Sequence, residues 1–338
     1  MPDRVALVTG SAGFIGFHVC KRLLAGGYRV VGVDALTDYY DVDLKMARQR
    51  LLMASDSFSV VNDRIESRSV LADVFALDRP SIVIHLAAQA GVRYSIENPR
   101  TYLESNICGT FELLEAARAN PPEHLLLAST SSAYGASVNM PYQESDRADY
   151  QLSFYAATKK ATENLAHSYS HLFALPVTAF RFFTVYGPWG RPDMALFKFT
   201  KAILNGEPIS VFNQGNMKRD FTYVDDVVHA IMLLIDHVPP APGTSKTLEG
   251  DNLSPVAPFR LLNIGNSSPV ELSKFIDAIE LATQRTAKRE LLPMQAGDVP
   301  ATWADTTLLS WLTGYCPETT VQEGVQRFVE WFRDYYKC

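Results

Sequence analysis

The chain predicts an α/β fold built on a doubly wound parallel sheet, and three observations carry that expectation. Short apolar runs alternate with helical patterns through the first two thirds of the 338 residues, at 5–9, 29–34, 58–61, 81–87, 124–129 and 175–182. Such alternation implies parallel strands with helices on both faces. A glycine-rich turn follows the first run, and an acid ends the second. Ligands of such sheets bind beyond the carboxyl ends of the strands.

The first unit reads strand, glycine turn, helix, strand, acid. Val5 to Thr9 leads into Gly10-Ser-Ala-Gly13-Phe14-Ile15-Gly16, and the second strand ends at Asp34, 18 residues after Gly16. The glycines let backbone approach a pyrophosphate and let helix pack on strand, while the helix N-terminus favours the phosphate charge. A carboxylate at Asp34 accepts from both ribose hydroxyls and repels a 2′-phosphate, so NAD is expected in preference to NADP. This is the Rossmann-type arrangement.

Two later strand ends carry polar residues to the same crevice. One is His85-Leu-Ala87-Ala-Gln89-Ala-Gly-Val-Arg93, and the other is Ser129-Thr130-Ser131-Ser132. His85 itself is read as a packed strand residue. Next comes Tyr155-Ala-Ala-Thr-Lys159. Residues four apart share one helix face, so phenol and ammonium point the same way. A neighbouring ammonium favours the phenolate, and a tyrosine so tuned accepts a proton near neutral pH. A hydroxyl at Thr130 shares the substrate proton. This is equipment for oxidising and re-reducing an alcohol.

From Gly187 the pattern loosens. A loop is expected at 187–192, a short strand at 208–212 and a helix at 225–235. A Pro-, Gly- and Ser-rich surface excursion spans 239–258. A strand at 261–264 and helices at 271–282 and 321–336 complete the chain. The expected division is a cofactor domain at 1–182, with 221–265 returning to it, and a smaller substrate-binding lobe from 183–220 and 266–338.

Composition bounds the function. The chain is 47% hydrophobic and 20% charged, with net charge −6. Mild acidity argues against nucleic acid or an anionic membrane as partner. Cys20, Cys108, Cys316 and Cys338 form no Cys-x-x-Cys, so no metal site is expected, and the usage is that of a reducing compartment. Cys20 and Cys108 fall inside helical patterns and are expected in the core. The N-terminus enters a strand at once, leaving no room for a signal peptide, and no apolar run approaches the ~20 residues of a membrane span. A cytoplasmic location is expected.

With these pieces in place, the chain resembles the extended short-chain dehydrogenase/reductase superfamily and, within it, the UDP-glucuronate 4-epimerases. The resemblance covers almost the whole chain. It rests on the glycine turn, Asp38-Tyr-Tyr-Asp-Val-Asp-Leu-Lys45, Ala88-Gln-Ala-Gly-Val-Arg93 and Phe154-Tyr155-Ala-Ala-Thr-Lys159-Lys160. It rests further on Arg181-Phe-Phe-Thr184-Val-Tyr-Gly-Pro-Trp-Gly-Arg191-Pro-Asp-Met194-Ala195 and Gly297-Asp298-Val-Pro-Ala-Thr-Trp. The glycine turn and the Tyr/Lys pair are superfamily-wide, whereas the 181–195 segment is far more specific.

The resemblance implies a role at each matching position. Tyr155 moves the proton, Lys159 tunes it and holds the nicotinamide ribose, and Thr130 hydrogen-bonds the reacting hydroxyl. Cofactor contacts fall at Gly10, Gly13, Phe14, Ile15, Gly16, Asp34, Ile65, Ala87, Gln89 and Asn106. Ser131, Ser132 and Thr184 face the sugar carboxylate. Arg93 and Arg191 order the lid and the sugar end, Arg219 neutralises the UDP diphosphate, Phe212 and Met194 lie along the uridine, and Asp298 joins the substrate site. A homodimer is implied, paired through outward apolar residues of helices near 102–120 and 153–172.

Two departures stand out. Relatives carry an acid before an aliphatic residue after the third strand, to contact the adenine amino group. Here the place reads Asp63-Arg64-Ile65, so either Asp63 substitutes or adenine recognition is weaker. Galactose-type epimerases place an arginine near Met294, and its absence leaves more of the diphosphate charge to Arg219.

The fate of a 4-keto sugar depends on the residues beside Thr130. Dehydratases typically carry Asp-Glu in place of Ser131-Ser132, and decarboxylases Glu in place of Ser132. Two serines donate hydrogen bonds but do not readily move protons at neutral pH. Epimerisation of UDP-glucuronate is therefore the expected activity. The alternatives are a UDP-glucose or UDP-N-acetylhexosamine 4-epimerase and a UDP-glucuronate decarboxylase. A non-catalytic NAD-binding protein is disfavoured by the intact Tyr/Lys pair.

Overall fold

The computed structural model describes residues 4–244, 251–295 and 297–338. The middle of the expected surface excursion, 245–250, lies outside the described residues. In chain order the first elements are β1 (Val5–Thr9), α1 (Phe14–Ala25), β2 (Arg29–Val33), α2 (Val42–Met53), β3 (Phe58–Val61), α3 (Val70–Asp78) and β4 (Ile82–His85). Then come α4 (Tyr94–Glu97), α5 (Pro99–Tyr102), a π-helical turn at Leu103–Cys108, α6 (Gly109–Ala119), β5 (His124–Thr130), α7 (Phe154–Phe173) and β6 (Val177–Phe182). The remainder comprises β7 (Thr184–Tyr186), α8 (Ala195–Asn205), β8 (Pro208–Val211), β9 (Lys218–Tyr223), α9 (Val224–Leu234) and β10 (Phe259–Ile264). Last are β11 (Pro269–Glu271), α10 (Leu272–Thr283), β12 (Lys288–Leu291), β13 (Ala301–Thr302), α11 (Thr307–Thr313) and α12 (Val321–Tyr336).

Seven strands form one sheet in the order β10-β6-β5-β4-β1-β2-β3, every pair parallel. The order reverses between β1 and β4, where a doubly wound sheet opens a crevice for a ligand. Successive side chains of a strand face opposite ways, and β1 shows the consequence. Ala6 and Val8 join a core with Phe17 and Leu23 of α1 and Val227 and Ile231 of α9. Leu7 joins Phe75 of α3, Leu113 of α6 and Ala166 of α7 on the other side. Six of these strands are buried on both faces, so they read as continuous apolar runs, whereas the edge strand β3 exposes Ser59 and Val61.

A second, smaller assembly holds β7, β9, β11 and β13 in one sheet and pairs β8 with β12. Its own core joins Phe197 of α8, Phe275 and Ile279 of α10, and Phe328 and Phe332 of α12. The aromatic rings of Phe221 and Phe275 stack there at 3.8 Å. The strands β7, β9, β11 and β13, with α8 and α11, are not among the elements expected from sequence. The strands and α11 are short or carry charges, so neither alternation nor length marks them; α8, eleven residues long with Leu196, Phe197, Phe199 and Ile203 buried, does carry a helical pattern. β9 opens with Lys218, Arg219 and Asp220.

Two other expectations need correction. Cys108 is exposed, whereas Cys20 is buried. Cys108 ends the wide π-helical turn, which points Asn106 inward instead. The excursion at 239–258 does not stay on the surface: Ala257 is fully buried, and Asp251 forms a buried pair with Arg260 at 2.9 Å. No helix among the described residues is long and apolar enough to cross a membrane.

Candidate active site

The glycine turn forms a cradle at the end of β1. A methyl group on Gly16 would lie 2.0 Å from the Gly10 carbonyl oxygen, and one on Gly10, whose φ is +73°, would lie 2.9 Å from the Ala87 nitrogen. Neither position tolerates a side chain. Gly13 caps α1 without a side-chain hydrogen bond, so the amides of Phe14, Ile15 and Gly16 open the helix as free donors to an anion. Across the turn, Asp34 accepts from Ala12 N and from Leu36 N, one to each carboxylate oxygen, both at 2.9 Å. The carboxylate is thereby fixed with lone pairs left for ribose hydroxyls. These residues fit a dinucleotide.

Behind the cradle the side chains are mostly spoken for. His85 bonds Thr9 Oγ1 at 2.7 Å and Thr110 Oγ1 at 3.1 Å, and burial with the Lys159 charge pushes it down to about 3. It is a neutral packed residue. Ile65 is buried against Gly109. Asn106 accepts from Gln89 N at 2.8 Å and donates to Gln89 O and Thr158 Oγ1. Both its amide hydrogens are used, so it ties Gln89 to α7 and has no free donor for a cofactor. At the adenine end, Asp63 accepts from Arg64 N and Ser67 Oγ, while Arg64 pairs with Glu66 at 3.1 Å. Asp63 is thus engaged within its own turn.

Tyr155 and Lys159 both lie on α7. Ser153 caps the helix by accepting from Ala156 N, and the buried stripe runs through Ala156, Lys159, Glu163 and Ala166. Burial raises the Tyr155 phenol above its usual range, and the Thr130 hydroxyl beside it and the Arg191 charge pull it back. The Tyr102 ring packs edge-on at 5.9 Å. Burial pushes Lys159 down to about 8, opposed by the Glu163 carboxylate one turn on. Thr130 ends β5, and its hydroxyl accepts from Ser132 N at 3.2 Å. Ser131 and Ser132 follow in a tight 3-10 turn and are partly exposed.

Glu163 links these parts and was not singled out from sequence. It receives Arg181 Nε and Nη2, both at 2.8 Å, Ser129 Oγ at 2.5 Å and Lys160 Nζ at 3.1 Å. Burial raises its carboxyl, but Arg181 and Lys160 more than offset that and leave it below its ordinary value. Ser129 and Arg181 are register partners on β5 and β6. One carboxylate therefore clamps the helix of Tyr155 to the strand of Thr130. Removing one partner of such a buried pair costs about 3–5 kcal/mol. An arginine inside an apolar run at 175–182 was the available signal, because a buried charge demands a partner.

The expected sugar and nucleotide residues form two groups. Phe14, Thr184, Arg191 and Met194 line one small cavity of about 40 Å³. Arg191 forks onto Asp193, with Nε to Oδ1 at 3.0 Å and Nη2 to Oδ2 at 2.5 Å, and Tyr39 donates to the same carboxylate. Burial works against the Arg191 charge, and Asp193 with Tyr39 and Tyr40 more than compensates. The second group joins Arg93, Phe212, Arg219 and Asp298. Arg93 stands 4.9 Å from the Phe212 ring centre and 3.5 Å from Asp298. Arg219 donates to the carbonyls of Lys218, Val299 and Pro300. Gly297, at φ +80°, passes Val92 so closely that a methyl group would sit 3.0 Å from its side chain. A larger cavity of about 500 Å³, lined by Gln214, Lys218, Glu271 and Arg289, takes Lys218, whose neighbour Arg219 faces the other way on β9.

The chain matches the NAD dependent epimerase/dehydratase family over residues 6–244. It is 54% identical to a probable UDP-glucuronate 4-epimerase of Rhizobium meliloti (strain 1021), covering 98% of this chain and 97% of that one. A crystal structure of UDP-glucuronic acid 4-epimerase from Bacillus cereus, in complex with UDP-glucuronic acid and NAD, superposes with a TM-score of 0.87 at 30% identity, covering 98% and 100%. The UDP-glucose 4-epimerase of Thermotoga maritima, with UDP-glucose, gives 0.84 at 30% identity over 98% and 99%. Extent and identity agree with the geometry of the glycine cradle and of α7, and the chain belongs to the NAD dependent epimerase/dehydratase family.

Proposed function

We propose that the protein is an NAD-dependent 4-epimerase that interconverts UDP-glucuronate and UDP-galacturonate through a 4-keto sugar, without decarboxylation. The observation that carries this reading is the run after β5, where Thr130 is followed by two serines and by no carboxylic acid. The activity named for the rhizobial relative supports it.

When bound, NAD takes the C4 hydride and returns it, so no outside oxidant is consumed. The chain supplies the rest. Gly10, Gly13 and the amides of Phe14, Ile15 and Gly16 receive the phosphates, and Asp34 receives the ribose. Ala87, Gln89 and the buried Ile65 wall the cofactor groove, with Asn106 holding Gln89. Tyr155 takes the C4 hydroxyl proton and gives it back, Thr130 bonds the same oxygen, and Lys159 holds the neighbouring ribose. General acid–base work of this kind is worth ~10²–10⁴-fold.

Ser131, Ser132, Thr184 and Arg191 hold the C6 carboxylate. The keto sugar is a β-keto acid, which loses carbon dioxide when the C5–C6 bond lines up with the carbonyl π system. Donors that keep the carboxylate in the keto plane suppress that loss. Arg219 meets the diphosphate, with Phe212 and Met194 along the uridine and Arg93 with Asp298 over the cleft. The smaller assembly is read as the substrate lobe, drawn mainly from 183–220 and 266–338, and 1–182 with 221–265 as the cofactor domain; β9 runs on to Tyr223 in the smaller sheet, and Leu308 and Leu309 of α11 pack in the core of the larger one.

The reading includes a cytoplasmic homodimer. Four free thiols support the location. Exposed Leu103, Phe111, Phe154 and Leu172 on α6, α7 and the π-helical turn support pairing of these helices. Incubating purified protein with UDP-glucuronate and no added NAD, then separating products by chromatography, tests the activity. UDP-galacturonate is expected; an exclusive UDP-pentose product, or none, overturns the reading.

A further inference from the structure

Arg48 on α2 is fully buried, yet all its hydrogen bonds go to neutral oxygens. Nη1 donates to Ala12 O at 2.9 Å and to the Tyr40 hydroxyl at 2.8 Å. Nη2 donates to Trp189 O at 2.6 Å and Gly190 O at 3.5 Å. Nε is buried without a partner. A buried cation so placed is costly unless something compensates its charge.

Its position joins the two halves of the site. Ala12 lies inside the glycine turn, its N–H held by Asp34 and its carbonyl by Arg48. Trp189 and Gly190 directly precede Arg191. Trp189 takes a left-handed backbone, φ 61°, which a bulky residue adopts only when its surroundings enforce it. Its ring is gripped by Phe17 at 5.4 Å, Trp331 at 5.2 Å and Tyr335 at 5.1 Å.

We infer that Arg48 is a positioning residue that couples occupancy of the dinucleotide's phosphate site to the placement of Arg191; the inference rests on the carboxylate-holding role given to Arg191 above. A diphosphate at the glycine turn brings negative charge into the same poorly solvated region and compensates Arg48. The guanidinium then holds the Trp189 and Gly190 carbonyls, and Arg191 is set for a sugar carboxylate. Coupling between two sites is reciprocal, so a ligand that engages Arg191 must retain the dinucleotide.

The test follows NAD release from full-length holoenzyme under a chase that captures free NAD, with saturating UDP-glucuronate, with UDP, or with neither. UDP fills the nucleotide site but presents no carboxylate to Arg191. In wild type, UDP-glucuronate is expected to slow release about fivefold or more beyond UDP. In Arg48→Gln, NAD leaves faster and the two ligands act alike. In Arg48→Lys, which keeps the charge but cannot span both loops, the two ligands also act alike, and this variant decides if the first does not fold. A structural role alone lowers stability but leaves the ligand difference in place. Survival of that difference in either variant, or its absence in wild type, overturns the inference. A wild type that fails to epimerise UDP-glucuronate breaks the functional reading instead.

Discussion

The two halves of the crevice are made of different material. The cofactor half is backbone: two glycines pressed against carbonyl and amide, the bare N-terminus of α1, and one acid pinned by two amides. The substrate half is side chains drawn from distant segments, with Arg93 reaching Asp298 across 205 positions. Backbone sites tolerate no added atom but accept many neighbours. Side-chain sites accept small changes and alter their chemistry in response. On the proposed function, the first kind sets whether the protein works, and the second sets on what.

The largest effect is expected where backbone meets backbone. Gly16→Ala puts a carbon 2.0 Å from a carbonyl oxygen that cannot rotate away, a strain of about 3 kcal/mol or more. NAD recovered per chain after denaturation should fall to near zero, with a lower melting temperature. A variant with full NAD content would break the contrast.

Next comes Tyr155→Phe, which removes the proposed proton acceptor and leaves the cleft intact. Turnover is expected to fall ~10²–10⁴-fold, with UDP-glucuronate affinity preserved by calorimetry. Wild-type turnover in this variant would assign the base elsewhere.

Smaller still is the double change Ser131→Ala with Ser132→Ala. Each hydroxyl lost from a charged partner should cost ~1 kcal/mol or more. Epimerisation slows, and the share of UDP-4-keto-pentose and carbon dioxide among products rises. An unchanged product ratio, with substrate still consumed, removes the serines from control of the carboxylate.

The last effect is electrostatic and acts on stability rather than on turnover. Lys159 is pushed down to about 8 by burial, whereas an unfolded lysine titrates near ~10.4. Between those values the unfolded chain binds more protons, so this group's contribution to stability rises with pH. It is least favourable below pH 8. Melting of cofactor-stripped protein should show wild type gaining on Lys159→Met from pH 8 to 10. A flat difference would mean that the folded chain does not depress the lysine.

Legibility followed the same division. Strands β1 to β6, the glycine turn, Asp34 and the Tyr155/Lys159 pair were readable because local spacing determines them. The substrate half came only through resemblance, since no local pattern brings Thr184, Arg191 and Met194 to one cavity. Glu163, Asp193 and Arg48 escaped notice because a charged residue on a helix or in a loop reads as solvated until its burial is known. Cys108 was misjudged because a π-helical turn shifts the phase of the faces. The second sheet was invisible because its strands are two to six residues long and partly charged.

The Glu163 clamp has a consequence for how such an enzyme can diversify. Ser129 and Arg181 fasten β5 and β6 to α7 immediately before the reacting oxygen is met. Ser131 and Ser132 come immediately after it, partly exposed in a turn whose far end, Tyr134, packs under Arg181 at 4.3 Å, while neither serine side chain bonds to the clamp. On the proposed function, oxidation at C4 is thus anchored in a rigid frame, and the decision on what becomes of the ketone sits on two replaceable positions beside it. New reactions can be sampled there by point mutation, without risking the scaffold or the step they all share.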